Sequence, residues 1–497
     1  MCFSTVILYT VVIIMSRINV MMDRKGSLEM MQQKSIVQGK PERRNTVWGP
    51  SEKRIFYSEL ATLVFPIAMQ NFMSAVVSAS DALMLGMLDQ NSLSAISLAT
   101  QVQFVLNLFF SGLTLGATIL AAQYWGKGDK NAVEHVLAVS LRFSMLISLI
   151  FFILANACPA FLMRIFTNEE ALVTAGIPYL RIVSWSYLFM GVTQIYLCIM
   201  KSSKRTLRST VYGSTALILN LILNSILIFG LAGAPRMEIC GAALATSLAR
   251  AVELLLVLLE NRKADVVRIR MDSVKKPDRK LQKDFIHYTT PVLANLLAWG
   301  CGFAMFSVIM GHLGSDAVAA NSIAGIVKNI IACVCCGMGT GSSIMVGNEL
   351  GKGNLERARR YGDKLCHVAI VCGLISGAVV LAGSPLILCF TGTLTAQARE
   401  YLKIMLVFCT YYMVGKAINC TTIAGIFCAG GDTRFGFLCD TINMWAVIVP
   451  VGLIAAFVLH LPVLVVYFLL NLDEIIKLPV VYLHYKRYGW VNNLTNS

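Results

Sequence analysis

Twelve times along this chain an apolar run recurs that is long enough to cross a bilayer. A hydrocarbon core about 30 Å thick takes about 20 apolar residues in a helix. Runs of that size fall near 57–88, 92–123, 133–160, 171–200, 208–231, 238–260, 284–312, 316–348, 360–388, 397–428, 436–459 and 462–484. Numbered in chain order, these are spans 1 to 12. Each is far longer than a barrel strand of about 10 residues and none alternates, so helices are expected. Composition agrees, since 57% of the 497 residues are hydrophobic and only 14% are charged. A soluble domain carries roughly 25% charged residues. Soluble enzymes, disordered chains and secreted disulfide scaffolds are thereby excluded. The expected fold is an all-α polytopic membrane protein.

The net charge of +15 invites a nucleic-acid reading, but the position of the charges gives another. Of the 42 Lys and Arg, 31 fall in the two tails and the even-numbered loops, counting Arg208 and Arg360 at span edges as loop, and two fall in the odd-numbered loops. This is the positive-inside pattern of an even number of spans with both termini cytoplasmic. Nucleic acid is set aside as a partner; membrane lipid takes its place. The 15 cysteines lie mostly inside apolar runs, as Cys333, Cys335 and Cys336 do, and read as small buried hydrophobes rather than as metal ligands. Thr5–Met15 is too short to span and lacks a basic flank, so translation is expected to start at Met21, Met22 or Met30.

The two halves repeat. GLTLGATILAAQYWGKG (112–128) matches GMGTGSSIMVGNELGKG (337–353) at a shift of 225, and the match runs without a gap back to Pro66 and Pro291. The 63 pairs contain 14 identities, and each half holds six spans. Six is even, so both halves enter the membrane in the same direction and are related by an axis along its normal. The expected organisation is an N-terminal segment and tail (1–54), an N-lobe (55–260), a basic linker (261–283), a C-lobe (284–485) and a cytoplasmic tail (486–497). Two pseudo-symmetric six-helix lobes around a central cavity imply alternating access by rocking.

Several segments, in this order, resemble the multidrug and toxic compound extrusion (MATE) transporters. They are the Asp of SASDALMLG, the GKGD and GKGN ends of spans 2 and 8, Asn220 and Asn224 in LNLILNSILIFG with the following GAALAT, AGGDTRFG (429–436) and DEIIKLPVVYLHYKR (473–487). The resemblance covers about residues 55–490. It implies a monomeric exporter of amphipathic, often cationic, small organic molecules in the bacterial cell (inner) membrane. Inward flow of H⁺ or Na⁺ would drive it, with no cofactor. In that family the span-1 Asp and the span-5 Asn residues form the cation or proton site of the N-lobe, which here means Asp81, Asn220 and Asn224.

The residues themselves support that assignment. Asp81 lies seven residues before the outer end of span 1, about 10 Å deep. An unpaired charge there is costly, so the side chain should take a proton, bind a cation or find donors. Asn220 and Asn224, four apart, share one face of span 5. In the second half Asp81 is replaced by Phe306, Gln103 by Lys328 and Gln194 by Lys416. Ion coupling is therefore expected in the N-lobe, with Gln194, Lys328 and Lys416 on the substrate-cavity wall. PVLANLLAWG (291–300) of span 7 and residues 401–428 of span 10 carry no acid, which favours H⁺ over Na⁺. Arg250 with Glu253, and Glu474 with Lys477, are three apart and read as neutralising pairs. Asp440 is expected one turn inside span 11, in reach of water.

The alternatives are a flippase for a lipid-linked precursor, with the two lysines on a pyrophosphate, and a membrane enzyme. The enzyme finds no clustered His, Asp or Glu to work with, and the GKG loops lack a phosphate-binding pattern. Sidedness is directly testable. A tag fused after Ser497 is expected to resist external protease in spheroplasts until the membrane is opened, and digestion of intact spheroplasts would reverse the assignment.

Overall fold

The computed structural model describes residues 49–86, 90–233, 235–263, 266–275, 278–391 and 394–496. Thr5–Met15, the three candidate starts and most of the N-terminal tail lie outside these. The chain falls into two compact units, Met1–Tyr57 and Ser58–Ser497. In the first, the described residues are the opening turns of the span-1 helix; the second holds the remaining described residues.

Among the described residues eleven helices are long and apolar enough to cross a membrane, from Pro50–Gly86 (span 1) to Thr433–Val458 (span 11). Ends agree with the apolar runs to within about seven residues; span 2 is Gln90–Lys127 and span 8 is Ser315–Gly351. The twelfth run is also helical but broken, as Val463–Leu470, Asp473–Ile476 and Leu478–Lys486. Pro479, in the first turn of the last piece, lacks the N–H that would continue the preceding turn. Three stretches of wider π-helix, Cys420–Phe427, Asn443–Ile448 and Ile454–Val458, interrupt spans 10 and 11. Neither feature has a period that an apolar run reveals. No strand occurs among the described residues.

Apolar side chains form separate cores. One joins spans 2, 3, 4, 5 and 6 through Leu106, Phe110, Ala155, Tyr187, Ile228 and Ala243. Another joins spans 7, 8, 10, 11 and 12 through Ile309, Ala324, Met405, Leu406, Ile448 and Tyr467. The linker is more ordered than a solvated basic loop. Val266 and Val267 are buried, Arg270 Nε lies 2.6 Å from Glu134 Oε2 of span 3, and Ile269 N–H donates to Asn261 Oδ1 (2.7 Å).

The repeat appears as reciprocal contacts. A Cβ on Gly126 would stand 2.1 Å from the Asn348 carbonyl oxygen, and one on Gly351 would stand 1.8 Å from that of Gln123. Gly126 and Gly351 are equivalent at the shift of 225, and so are Gln123 and Asn348. The pattern recurs deeper. Gly112 faces Leu293 of span 7, while Gly337 faces Ala68 of span 1, again an equivalent pair. Spans 2 and 8 thus cross at their GKG ends about a local two-fold axis, with backbone on backbone. That side is further sealed by Gln123, which donates to the Ala429 carbonyl (2.7 Å) and accepts from Leu494 N–H (2.7 Å). Trp490 is fully buried beside them.

A side chain at the crossing must push the two spans apart. Gly351→Ala is expected to destabilise the protein by about 1–3 kcal/mol, the usual cost of overpacking, read as a lower midpoint of thermal unfolding in detergent. Gly353→Ala, just beyond the crossing at a position with φ +78° and open space around it, tests the alternative that backbone strain alone is responsible. An unchanged midpoint in Gly351→Ala would contradict the close contact.

Candidate functional site

Asp81 comes from span 1, Asn220 and Asn224 from span 5 (Thr206–Phe229), and Thr246 from span 6 (Glu238–Asn261). The four-residue spacing places both amides on the face of span 5 that is buried, and Asn220 and Asn224 are 7% and 2% exposed. Asn224 Nδ2 donates to Asp81 Oδ1 at 2.7 Å and to Asn220 Oδ1 at 3.4 Å. Asn220 Nδ2 donates to Thr246 Oγ1 at 3.2 Å, which donates on to the Ala242 carbonyl at 3.0 Å. The three sequence-predicted N-lobe residues are therefore brought into one hydrogen-bonded row.

One donor of this row, the Asn224 amide, points at the carboxylate, and the others point away from it toward the Ala242 carbonyl. An amide donating to an ionised carboxylate is worth about 1.5–3 kcal/mol, enough to hold part of the charge in a low-dielectric wall. Asn224 Oδ1 is buried and accepts no hydrogen bond among the described residues. It remains an acceptor for a proton on Asp81, or an oxygen ligand for a small cation alongside the carboxylate.

The row lines a cavity of about 820 Å³. On the N-lobe side its wall also includes Gln103, Phe104, Tyr179 and Arg250; across from them stand Gly300, Phe303, Ala304 and Ser307 of span 7. The cavity is thus polar in places and apolar in others, suited in size and character to a drug-sized amphipathic molecule. Phe306, the counterpart of Asp81, points away into the C-lobe core.

The other expected wall residues do not line this cavity. Gln194 lies on span 4, half-buried, next to Thr193, whose hydroxyl donates to Glu253 Oε2 (3.1 Å). Lys328 Nζ donates to Asn471 Oδ1 (2.8 Å) and sits over the Tyr412 ring (4.7 Å). Lys416 Nζ pairs with Glu474 Oε1 (3.1 Å). Both lysines are therefore committed to span 12. Arg250 does pair with Glu253 (2.9 Å), as its spacing implies, but it also reaches the cavity. Asp440 lies two turns inside span 11 rather than one, because the helix starts at Thr433; it is bound by Lys477 (2.8 Å) and Asn295 (2.9 Å). Thr246 and Arg250 were missed as site residues, although Thr246 ends the GAALAT segment and Arg250 is one turn further along the same face.

Comparison with known proteins agrees. The family model for MatE matches residues 66–226 and 291–454, one stretch in each half of the repeat. Multidrug resistance protein MdtK of Pectobacterium atrosepticum is 23% identical over 80% of this chain and 87% of its own. Probable multidrug resistance protein NorM of Bradyrhizobium diazoefficiens is 27% identical over 81% and 87%. Among solved structures, one described as the outward-facing conformation of a multidrug resistance MATE family transporter superposes with a TM-score of 0.80 at 19% identity, covering 88% of this chain and 96% of its own. A complex of a MATE protein with the ligand MaL6 gives 0.81 at 18%, covering 88% and 97%. With its apolar spans, its repeat and the two matched halves, this chain is a multi-pass membrane protein that belongs to the MATE family of efflux transporters.

Proposed function

We propose that this protein is a proton-coupled antiporter that exports amphipathic, often cationic, organic compounds, with Asp81, Asn220 and Asn224 as the coupling site. The observation that carries the reading is the Asp81–Asn224 hydrogen bond on the wall of a drug-sized cavity. A protonated Asp81 adds no charge to the wall. An ionised one favours a cationic guest opposite Phe303, whose ring supplies an apolar and weakly cation-attracting face. Proton and cargo then compete for one side chain, and competition of this kind between two states of the lobes is antiport. A membrane potential of 100 mV adds about 2.3 kcal/mol per charge moved.

H⁺ is preferred to Na⁺ because one carboxylate with an amide donor suffices for a proton, whereas a metal ion wants a fuller set of oxygen ligands. The relatives' names, multidrug resistance proteins, support the substrate class. A flippase for a lipid-linked precursor would use Lys328 and Lys416 against a pyrophosphate; with both bonded to span 12, the antiporter draws more support. The setting is the bacterial cell (inner) membrane, with both termini cytoplasmic and the protein a monomer.

The test uses the full chain in vesicles loaded with ethidium. An imposed pH gradient is expected to drive efflux, an equal Na⁺ gradient is not, and Asp81→Asn should lose at least about tenfold of the pH-driven rate, the equivalent of about 1.4 kcal/mol. Full-rate efflux in Asp81→Asn would remove Asp81 from the coupling role. A Na⁺ gradient that drives efflux while a pH gradient does not would replace the ion. Asn224→Ala, which removes the donor to the carboxylate, is expected to slow pH-driven efflux about tenfold to hundredfold, as in the loss of one hydrogen bond to a charged group of about 1.5–3 kcal/mol.

A further inference from the structure

The C-lobe holds a second buried cluster of charge that the N-lobe site does not use. It is built where span 12 breaks. Breaking a helix inside a membrane frees backbone groups that water cannot satisfy. Here side-chain amides satisfy them. Asn443 Nδ2 donates to the Asp473 carbonyl (2.8 Å) and Asn419 Nδ2 to the Glu474 carbonyl (2.7 Å). Both asparagines stand at the starts of π-helical stretches, the second flaw in the C-lobe frame. Such stretches are frequent at functional sites.

The side chains at the break are unequally provided for. Glu474 is held by Lys416 (3.1 Å), Lys477 (3.0 Å) and Asn419 (2.8 Å). Lys477 in turn reaches Asp440 (2.8 Å). Asp473 is as deeply buried, at 4% exposure, yet Asp473 Oδ1 has no hydrogen-bond partner and the carboxylate has no ion pair among the described residues. Lys328, which faces it from span 8, bonds Asn471 instead. Tyr411, Tyr412 and Lys416 face it from span 10, and Asn443 from span 11. On its own span are Glu474 and Lys477, with Asp440 beyond Lys477.

Two forces therefore oppose each other at Asp473. A buried carboxylate oxygen without a donor favours a proton. Against that, with Asp473 neutral, Lys328, Lys416 and Lys477 outnumber Glu474 and Asp440 by one charge. Ionising Asp473 restores the balance and gives Lys328 a carboxylate two residues from its present partner Asn471. A group held between those alternatives is switchable rather than structural.

We infer that Asp473 is a second proton-binding site, in the C-lobe, whose loss of a proton is coupled to transfer of Lys328 from Asn471 to Asp473. Glu474, Lys477 and Asp440 link it toward the GKG side, where Asp440 is 19% exposed. The inference extends the proton-coupled reading above, and the test separates the two. Infrared difference spectra of the detergent-solubilised full chain are recorded across an acid-to-alkaline titration, following the carbonyl bands of protonated carboxylic acids. The wild type is expected to show two buried acids that titrate. Asp473→Asn should remove one and Asp81→Asn the other.

Should Asp473→Asn remove no band, the inference is overturned. Should Asp81→Asn remove none while Asp473→Asn removes one, the N-lobe reading fails and this one stands. If Asp473→Asn does not elute as a single species on gel filtration, Lys328→Gln decides. Without the cation that faces it from span 8, the Asp473 band is expected to persist to a pH higher by about one unit or more. An unmoved titration would show that Lys328 and Asp473 are not coupled and would overturn the switch.

Discussion

A charge inside a hydrocarbon slab must be neutralised, shared or kept wet, and in this chain that requirement organises everything below the level of the spans themselves. Asp81 leans on Asn224, Arg250 on Glu253, and Glu474 on two lysines and an asparagine. Most of these arrangements take partners from different helices, so satisfying a charge also fixes how those helices pack. The same logic reaches the backbone. Where span 12 is broken, Asn419 and Asn443 cross from spans 10 and 11 to close the open carbonyls. The polar groups of the membrane interior thus serve as site and scaffold together.

The frame that carries them is a repeat with unequal halves. Small residues at equivalent positions let spans 2 and 8 touch backbone to backbone and bring each against span 7 or span 1 of the other half. That contact is symmetrical because the sequence around it is. The chemistry is not. At the shift of 225 the acid of one half is a phenylalanine of the other, and Gln103 corresponds to Lys328. At shifts of 222 and 224 in the later spans, Gln194 corresponds to Lys416 and Arg250 to Glu474. One lobe therefore offers a single carboxylate at the edge of a cavity. The other encloses several charges that compensate one another, and lends the cavity a mostly apolar wall through Phe303 and Ala304. An amphipathic guest would meet both characters at once.

Closure at the GKG ends gives this asymmetry a direction. With Gly126 and Gly351 in contact and Gln123 tied to Ala429 and Leu494, the cleft between the halves is shut on that side. Rocking the lobes to open it must break these bonds and pull the touching backbones away from each other. Such a step is discrete rather than gradual, because a close-packed contact loses about a quarter to a half of its attraction within about an ångström.

Length, period and loop charge were enough to read the apolar spans and the repeat, and the family resemblance, supported by helical spacing, pointed to the pairing of Asp81 with the span-5 asparagines. Those features depend on apolar run length, on identity at a fixed shift and on helical spacing, all of which are read along the chain. The break in span 12, the π-helical stretches and the partners of Lys328 and Lys416 were not legible. Lys416 and Glu474 are far apart in the chain, and no periodicity in either span says that they meet. A lysine facing a cavity and a lysine paired across a helix interface look the same in sequence. Sequence determined that this chain must cross the membrane repeatedly and that its buried charges need partners. Only the packing of the helices decided which partners, since that choice depends on distances between spans rather than along them.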